Sequence, residues 1–378
     1  PPCPIVDRCG GCPLQQVSYA AQLHAKRTLV ADALLHIGGI EPAPLQLAPV
    51  VPSPTQFRYR RRARLHRGPR GSWGFSSGAA GGGAVVPVEE CLLFSPALES
   101  LSGAVRAQIE RLGGLPDVLD LGLDTTEAGE GAIDLRTRGA PTPSLRKRAN
   151  ELLASVSDLR GITLGPKSAT ELFGDPVLVD AGATLAESGK VFRLRARPDL
   201  FAQANRAAVP LLQAAALEAL GEDAEGRVLE LFCGTGTLTL PLLARARSVI
   251  GVEGSLPALS LLRKSAEEAG LSQGGGHEPR LRLITGDCAE VARGLVAEEA
   301  GKLSAVLLDP PRTGAAQAVR AAAALGAPRI VYVSCDAPTL GRDAKELARQ
   351  GYRLARAVPL DLFPQTAHLE VVATFLRV

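Results

Sequence analysis

The chain has 378 residues, a length typical of two or three domains, and its 46% hydrophobic content excludes wholesale disorder. The 42 basic and 39 acidic residues leave a net charge of only +3, so any nucleic-acid surface must come from locally clustered arginines. No stretch approaches ~18 uninterrupted apolar residues, and no basic leader precedes an apolar segment. We therefore expect a cytoplasmic protein without a membrane span.

The cysteines form one cluster and several scattered positions. Cys3, Cys9 and Cys12 lie close together as C-x5-C-G-G-C, and Cys91 follows far downstream. The odd total of seven in a long chain argues against a disulfide framework. These four thiols could ligate either a tetrahedral Zn²⁺ or an iron–sulfur cluster, whereas four free thiols are a less favourable interpretation.

The N-terminal half is predicted to contain two units. Ser18 is predicted to cap a helix that ends at Gly38 and Gly39. Its apolar residues recur at helical spacing: Leu23, Val30, Leu34 and Ile37. Residues 1–41 thus form a cysteine loop and helix. Residues 42–200 form a mixed, β-rich domain that shares the cysteine site through Cys91, with helices near Ser95–Leu112 and Pro143–Ser155.

Seven arginines occur in the 14 residues ending at Arg70, with no acidic residue among them. Alternation over Phe57–His66 predicts a strand with one basic and one apolar face. The basic face holds Arg58, Arg60, Arg62, Arg64 and His66. Repulsion along this face is costly unless phosphates, or acidic residues from elsewhere, balance it. We interpret the strand as RNA-binding, and the alternative is a solvated edge strand.

The C-terminal half, residues 201–378, alternates apolar β runs with helical patterns. This predicts a doubly wound, mostly parallel sheet with its site at the carboxyl ends of the strands. A final pair of runs is close enough for an antiparallel hairpin at the sheet edge. The predicted strands are Val228–Phe232, Ser248–Glu253, Leu281–Thr285, Ala305–Asp309, Ile330–Ser334, Tyr352–Pro359 and Leu369–Phe375.

A nucleoside site is predicted where the first of these strands runs into Gly234-Thr-Gly236 and a helix. Glu253, at the end of the next strand, suits ribose hydroxyls. The dinucleotide fingerprint would need a glycine where this chain has Thr239, so S-adenosylmethionine (SAM), which has no phosphate, fits better. A simple tight turn is the alternative.

The end of the fourth run carries Asp309-Pro-Pro-Arg312, which places a carboxylate in the same crevice behind a stiff turn. A bare structural turn is one interpretation, and the turn is also similar to that of methyltransferases acting on exocyclic amines. A SAM-dependent N-methyltransferase is therefore an alternative.

Two candidate reacting groups follow. Cys335 ends the fifth strand just before a helix from about Thr339, where unpaired N–H groups favour a thiolate, although a small buried core residue is an alternative. Glu370 enters an apolar strand, where burial is expected to raise its pKa toward that of a general base. His368 is a lower-ranked base, since a lone His beside a strand is more often structural.

These motifs, in this order, resemble those of the RNA 5-methyluridine (uracil-C5) methyltransferases over most of the chain, and the cysteine loop resembles their ribosomal RNA branch. The matching segments are the cysteine loop, the Tyr59 strand, Phe201–Asn205, Leu231–Gly236, Asp309–Arg312, Ser334–Leu340 and Phe363–Glu370. Asp336 departs from the usual Asn, and Thr237 from a frequent Asn.

The resemblance implies an α/β enzyme with a Rossmann-like catalytic sheet that methylates uridine C5 in RNA, most specifically 23S ribosomal RNA, as a monomer. It implies Cys335 as nucleophile, Glu370 as base and a [4Fe–4S] cluster on Cys3, Cys9, Cys12 and Cys91. The implied SAM contacts are Gln203, Phe232, Thr237, Glu253, Asp287 and Asp309. A non-catalytic iron–sulfur RNA-binding protein is the remaining alternative, and retention of both reacting groups argues against it.

Overall fold

The computed structural model describes residues 1–41, 43, 46–77, 83–180, 192–272 and 279–378. Within these ranges the chain forms two seven-stranded sheets and a two-stranded ribbon. None of the described helices is long and apolar enough to cross a membrane.

The N-terminal segment forms the cysteine loop and helix α1 (Tyr19–Asp32), which a π-helical turn (Ala33–Ile37) extends to Gly38. Ser18 caps α1 as predicted, because its Oγ accepts from the Ala21 N–H at 3.3 Å. The buried face differs from the predicted apolar stripe. Gln22 and Lys26 are buried, whereas Ile37 is exposed, because this face packs on a polar loop near the C-terminus.

The central sheet has the strand order β3-β2-β1-β4-β5-β6-β7 and is antiparallel except between β5 and β6. Helices α2 (Pro96–Arg111) and α3 (Pro143–Ser155) pack on it, and they match the predicted helices because Ser95 and Thr142 cap them. The strands are β1 (Arg62–Arg67), β2 (Trp73–Ser76), β3 (Val85–Pro87), β4 (Val118–Thr125), β5 (Gly131–Thr137), β6 (Leu159–Gly165) and β7 (Glu171–Gly174).

The predicted arginine strand is wrong in its first half. β1 begins at Arg62, and Arg58 has a left-handed backbone with φ of 58° that no strand continues through. The edge-strand alternative is also wrong, because β1 lies between β2 and β4.

The ribbon of β8 (Leu178–Asp180) and β9 (Leu194–Ala196) precedes the C-terminal sheet. That sheet has the order β12-β11-β10-β13-β14-β16-β15. Its strands are β10 (Arg227–Leu231), β11 (Ser248–Glu253), β12 (Leu281–Thr285), β13 (Ala305–Leu308), β14 (Arg329–Ser334), β15 (Tyr352–Leu360) and β16 (Glu370–Arg377). Strands β10 to β14 pair in parallel, and β16 inserts antiparallel between β14 and β15.

Helices cover both faces of this sheet, so buried residues form two clusters on either side. The helices are α4 (Val209–Leu220), α5 (Thr239–Arg245), α6 (Leu256–Glu268), α7 (Cys288–Glu299), α8 (Ala316–Ala324) and α9 (Ala337–Arg349). The predicted doubly wound sheet is confirmed. Leu47 and Val51 form parallel bridges with β15, so residues 46–51 attach to this sheet and not to the central one. The division of the chain into residues 1–41, 42–200 and 201–378 remains a proposal, with residues 46–51 moved to the C-terminal part.

Candidate active site

The glycine loop after β10 is a tight left-handed turn. Phe232, Gly234 and Gly236 have φ of 66°, 53° and 94°. A side chain at Gly236 would also clash with the Cδ1 atom of Leu262 in α6. Glycine is therefore required at position 236 both by backbone conformation and by the close approach of α6.

Acidic residues from neighbouring strand ends surround this loop. Glu253 ends β11, and its Oε2 accepts from the Gly234 N–H at 3.1 Å while Oε1 accepts from the Ser255 N–H at 2.8 Å. Asp287 follows β12 and caps α7 by accepting from the Ala289 and Glu290 N–H groups, both at 2.9 Å. Asp309 follows β13. Since parallel strands end at one edge, these side chains face the same crevice.

The crevice fits a polar ligand such as SAM. Gln203 is buried, and its Oε1 atom has no hydrogen-bond partner among the described residues. Thr237 is partly exposed beside the glycine loop, and its backbone carbonyl accepts from Gln213 Nε2 at 2.7 Å. The open loop end offers polar groups that a bound nucleoside could bond, and Gln203, between β9 and α4, is a separate buried acceptor without a described partner.

Cys335 and Glu370 are brought together at the same edge. Cys335 follows β14, and Glu370 begins the neighbouring antiparallel strand β16, where Val371 pairs with Ser334. The two side chains interact electrostatically with each other and with Asp309 and Arg312. The predicted pair of reacting groups therefore shares one site with the glycine loop.

The thiol of Cys335 does not have the expected low pKa. Helix α9 begins at Ala337, with Asp336 as its cap, so Cys335 does precede a helix N-terminus. Burial, and next the negative charge of Glu370, nevertheless raise the pKa of Cys335 to about 11. Arg312 opposes this rise. Desolvation and a neighbouring carboxylate thus set the pKa of this thiol, although it precedes a helix N-terminus.

The carboxyl of Glu370 behaves as expected for a buried base. It is 3% exposed, and its Oε2 atom has no hydrogen-bond partner among the described residues. Burial and the nearby Asp309 raise the pKa of Glu370 well above its usual range. Burial also raises the pKa of Asp309, to about 7.

The four predicted ligand cysteines line one cavity of about 180 Å³, together with Arg60 and His368. Burial, and then the neighbouring Cys91 and Cys9, raise the pKa of Cys12 to about 12. In the described part of the chain, no three His, Cys, Asp or Glu side chains are arranged to hold a single metal ion. His368, the lower-ranked base, lies at the wall of this cavity, where burial lowers its pKa.

The arginines of the basic segment have unequal surroundings. The Arg58 side chain is 51% exposed and lies 3.6 Å from Glu99. Arg62 is nearly buried, 3.5 Å from Asp124, and donates to the carbonyl of Ala202 at 3.2 Å. Arg64 pairs with Asp134 at 3.0 Å, and Arg60 Nε finds no hydrogen-bond partner among the described residues. Acidic residues from β4 and β5 therefore balance part of this charge.

Sequence reasoning missed two groups at the site. Glu230, in β10, is buried, and burial raises its pKa to about 8. The only sequence feature that could have identified Glu230 is that it is a charged residue within an apolar run. Arg312 is exposed and supplies the positive charge that opposes the pKa shifts of Cys335 and Glu370. The sequence feature that could have identified Arg312 is its position directly after Asp309-Pro-Pro.

The doubly wound sheet with this crevice defines a SAM-dependent methyltransferase. A family model described as tRNA (uracil-5-)-methyltransferase matches residues 295–377. The 23S rRNA (uracil(1939)-C(5))-methyltransferase RlmD of Pseudomonas aeruginosa is 36% identical over 99% of this chain and 80% of that protein. An uncharacterized RNA methyltransferase of Gloeobacter violaceus is 32% identical over the whole chain and 82% of its own length.

Among solved structures, the tRNA (uracil-54, C5)-methyltransferase of Pyrococcus abyssi in complex with S-adenosyl-L-homocysteine has the same fold. Its TM-score is 0.72 at 23% identity, over 99% of this chain and 86% of that one. Because these relatives match nearly the whole chain at 36% and 32% identity, the chain belongs to the family of SAM-dependent RNA uracil-C5 methyltransferases.

Proposed function

We propose that this enzyme methylates C5 of a uridine in 23S ribosomal RNA, with Cys335 as nucleophile and Glu370 as general base. The observation that carries the mechanism is the meeting of a thiol and a buried carboxyl at one edge of the sheet, where Glu370 Oε2 has no hydrogen-bond partner among the described residues. The choice of RNA is supported by relatives that are named for uracil 1939 of 23S rRNA.

The chemistry requires both groups. Uracil C5 is a poor nucleophile, but addition of the Cys335 sulfur to C6 creates an enolate that concentrates electron density on C5. SAM, when bound, supplies the electrophilic methyl group. Glu370 then takes the C5 proton, the C5–C6 double bond re-forms, and Cys335 leaves. An N-methyltransferase would need neither group.

We propose that SAM is held at the carboxyl edge of β10 to β13. The glycine loop gives close backbone approach, Glu253 accepts from the ribose hydroxyls, and the unpaired Gln203 oxygen offers a further acceptor. The proposed contacts are Gln203, Phe232, Gly234, Gly236, Thr237, Glu253, Asp287 and Asp309.

We infer that Cys3, Cys9, Cys12 and Cys91 hold a [4Fe–4S] cluster. Four soft ligands that line one cavity support a thiolate-bound metal group, and the resemblance to the ribosomal RNA branch favours the cluster over Zn²⁺.

Metal analysis of anaerobically purified protein tests the cluster. We expect about four iron and four sulfide per chain, and a lower content in Cys91→Ser. Stoichiometric zinc without sulfide would contradict the assignment.

We propose that the RNA contacts the basic segment through Arg58, Arg60 and Arg64, whereas Arg62, also predicted as an RNA contact, is nearly buried and has a structural role. Arg58 has the most exposed side chain of those whose exposure is described, which suits a phosphate contact. We further propose that the protein acts in the cytoplasm as a monomer.

Mapping of 5-methyluridine in ribosomal RNA tests the target. RNA from cells with and without the gene is digested and analysed by mass spectrometry. One 23S rRNA site should lose its methyl group in the deletion strain and regain it with the wild-type gene but not with Cys335→Ala. An unchanged 23S map with a lost methyl in transfer RNA would contradict the proposal.

A further inference from the structure

The loop 361–369 connects β15 to β16 and delivers Glu370 to the site. Leu360 and Glu370 face each other in the antiparallel register, so the loop leaves and re-enters the sheet at the reacting edge. Glu370 Oε2 has no hydrogen-bond partner among the described residues. No described side chain therefore fixes this oxygen, and the position of the carboxyl depends on the backbone of β16 and of the loop that precedes it.

A buried ion pair fixes the beginning of the loop. Lys26 Nζ, on α1, lies 2.6 Å from Asp361 Oδ1, and the two side chains are 1% and 0% exposed. Lys26 also donates to the Phe363 carbonyl at 3.1 Å, while Asp361 Oδ1 accepts from the Phe363 N–H at 3.2 Å. Charges this deeply buried are costly unless held in one geometry, so the pair defines the position of α1 against the loop.

A reciprocal amide pair fixes the middle of the loop. Gln22 Nε2 donates to Gln365 Oε1 at 3.0 Å, and the Gln365 N–H donates to Gln22 Oε1 at 2.9 Å. Gln365 has a left-handed backbone with φ of 71°. A non-glycine residue keeps such a conformation only where its surroundings hold it, and Gln22 supplies that hold.

Hydrogen bonds continue from this region toward Glu370. Thr366 Oγ1 donates to the Phe363 carbonyl at 2.8 Å and accepts from the His368 N–H at 3.2 Å. The loop is thus bonded from the α1 contacts to within two residues of the base.

We propose that Gln22 and Lys26 are positioning residues for Glu370, so that helix α1 controls the proton-removal step. This inference rests on the proposed role of Glu370. It predicts a specific defect: methyl transfer still occurs, but the C5 proton is removed slowly and the enzyme stays covalently bound to methylated RNA.

Single-turnover reactions with methyl-labelled SAM and substrate RNA test this. The variants are Gln22→Leu, which removes only neutral hydrogen bonds, and Lys26→Met, with Glu370→Gln as the reference for a missing base. Controls are Thr28→Ala on the exposed face of α1 and Arg195→Met, which removes another buried cation away from the loop. The readout is labelled, denaturation-resistant protein–RNA adduct against released 5-methyluridine, with SAM affinity measured separately.

We expect the Gln22 and Lys26 variants to bind SAM normally and to release methylated RNA at least tenfold more slowly, with adduct accumulating as in Glu370→Gln. Neither control should accumulate adduct. Should Glu370→Gln accumulate adduct while Gln22→Leu partitions like wild type, the positioning role is wrong. The positioning role is also wrong if Gln22→Leu slows adduct formation and the release of methylated RNA by the same factor. Should Glu370→Gln itself form no adduct, the base assignment fails instead.

Discussion

At the scale of single residues, burial sets the chemistry of the site. Cys335 precedes a helix that favours a thiolate, yet desolvation and Glu370 raise its pKa to about 11. Burial and Asp309 likewise raise the pKa of Glu370 well above its usual range. The free enzyme therefore disfavours both the thiolate and the carboxylate, and bound RNA must shift this balance before the sulfur can add to C6.

The reactivity of Cys335 toward iodoacetamide should report this pKa. Because the thiolate is the nucleophile, the alkylation rate of the Cys335 peptide should rise about tenfold per pH unit between roughly pH 7 and 10. Mass spectrometry of digested protein measures it without RNA. A plateau below about pH 8 would show that the thiol is activated in the free enzyme.

Replacement of Glu370 should change how stability depends on pH. The pKa of Glu370 in the folded protein lies above its unfolded value of about 4.3, so the folded state binds this proton more tightly. That stabilisation is complete below the unfolded pKa and is lost as pH rises toward the folded pKa. Glu370→Gln cannot titrate, so its Tm advantage over wild type should grow from about pH 5 to pH 8. A difference that does not change with pH would contradict the raised pKa of the buried carboxyl.

At the scale of elements, capping residues and apolar runs in the sequence predicted the helices and strands that local interactions form. Helices α2 and α3 start where Ser95 and Thr142 cap them, and the parallel strands follow apolar runs between helical patterns. The segment before β1 could not be predicted in this way. Its alternation continues through Arg58, but the left-handed backbone there and the acidic partners on β4 and β5 are set by tertiary contacts.

Two arginines of this segment should therefore behave differently. Arg58→Ala should weaken RNA binding and lower the salt slope by ~1 without changing Tm, because its side chain is half exposed. Arg62→Ala should instead lower the free energy of unfolding by about 1 kcal/mol, because it removes a largely buried guanidinium that donates to the Ala202 carbonyl, while Asp124 keeps its closer ion pair with Arg61 at 2.8 Å. Salt-dependent binding and denaturant melts separate the two. If the two variants had equal effects in both measurements, the two arginines would have the same role, and the original interpretation of one uniform basic face would be restored.

At the scale of the whole molecule, the N-terminal segment joins the two sheets. The Gly10 N–H donates to the Ser76 carbonyl of β2 at 3.3 Å. The Leu14 N–H donates to the backbone carbonyl of Gln365, in the loop between β15 and β16, at 3.0 Å. The sequence predicted the cysteine loop and α1 but not the polar face of that helix. The partners of Gln22 and Lys26 lie at the far end of the chain, and no periodicity reports such a pairing.

The covalent mechanism is tested most directly with RNA that carries 5-fluorouridine at the target position. Fluorine at C5 cannot leave as a proton, so after methyl transfer Glu370 has nothing to remove and the sulfur stays bonded to C6. Peptide mass spectrometry of the trapped wild-type complex should find methylated fluorouridine on Cys335, and Cys335→Ala should form no adduct. Attachment at another cysteine, or methylation by Cys335→Ala, would contradict the mechanism.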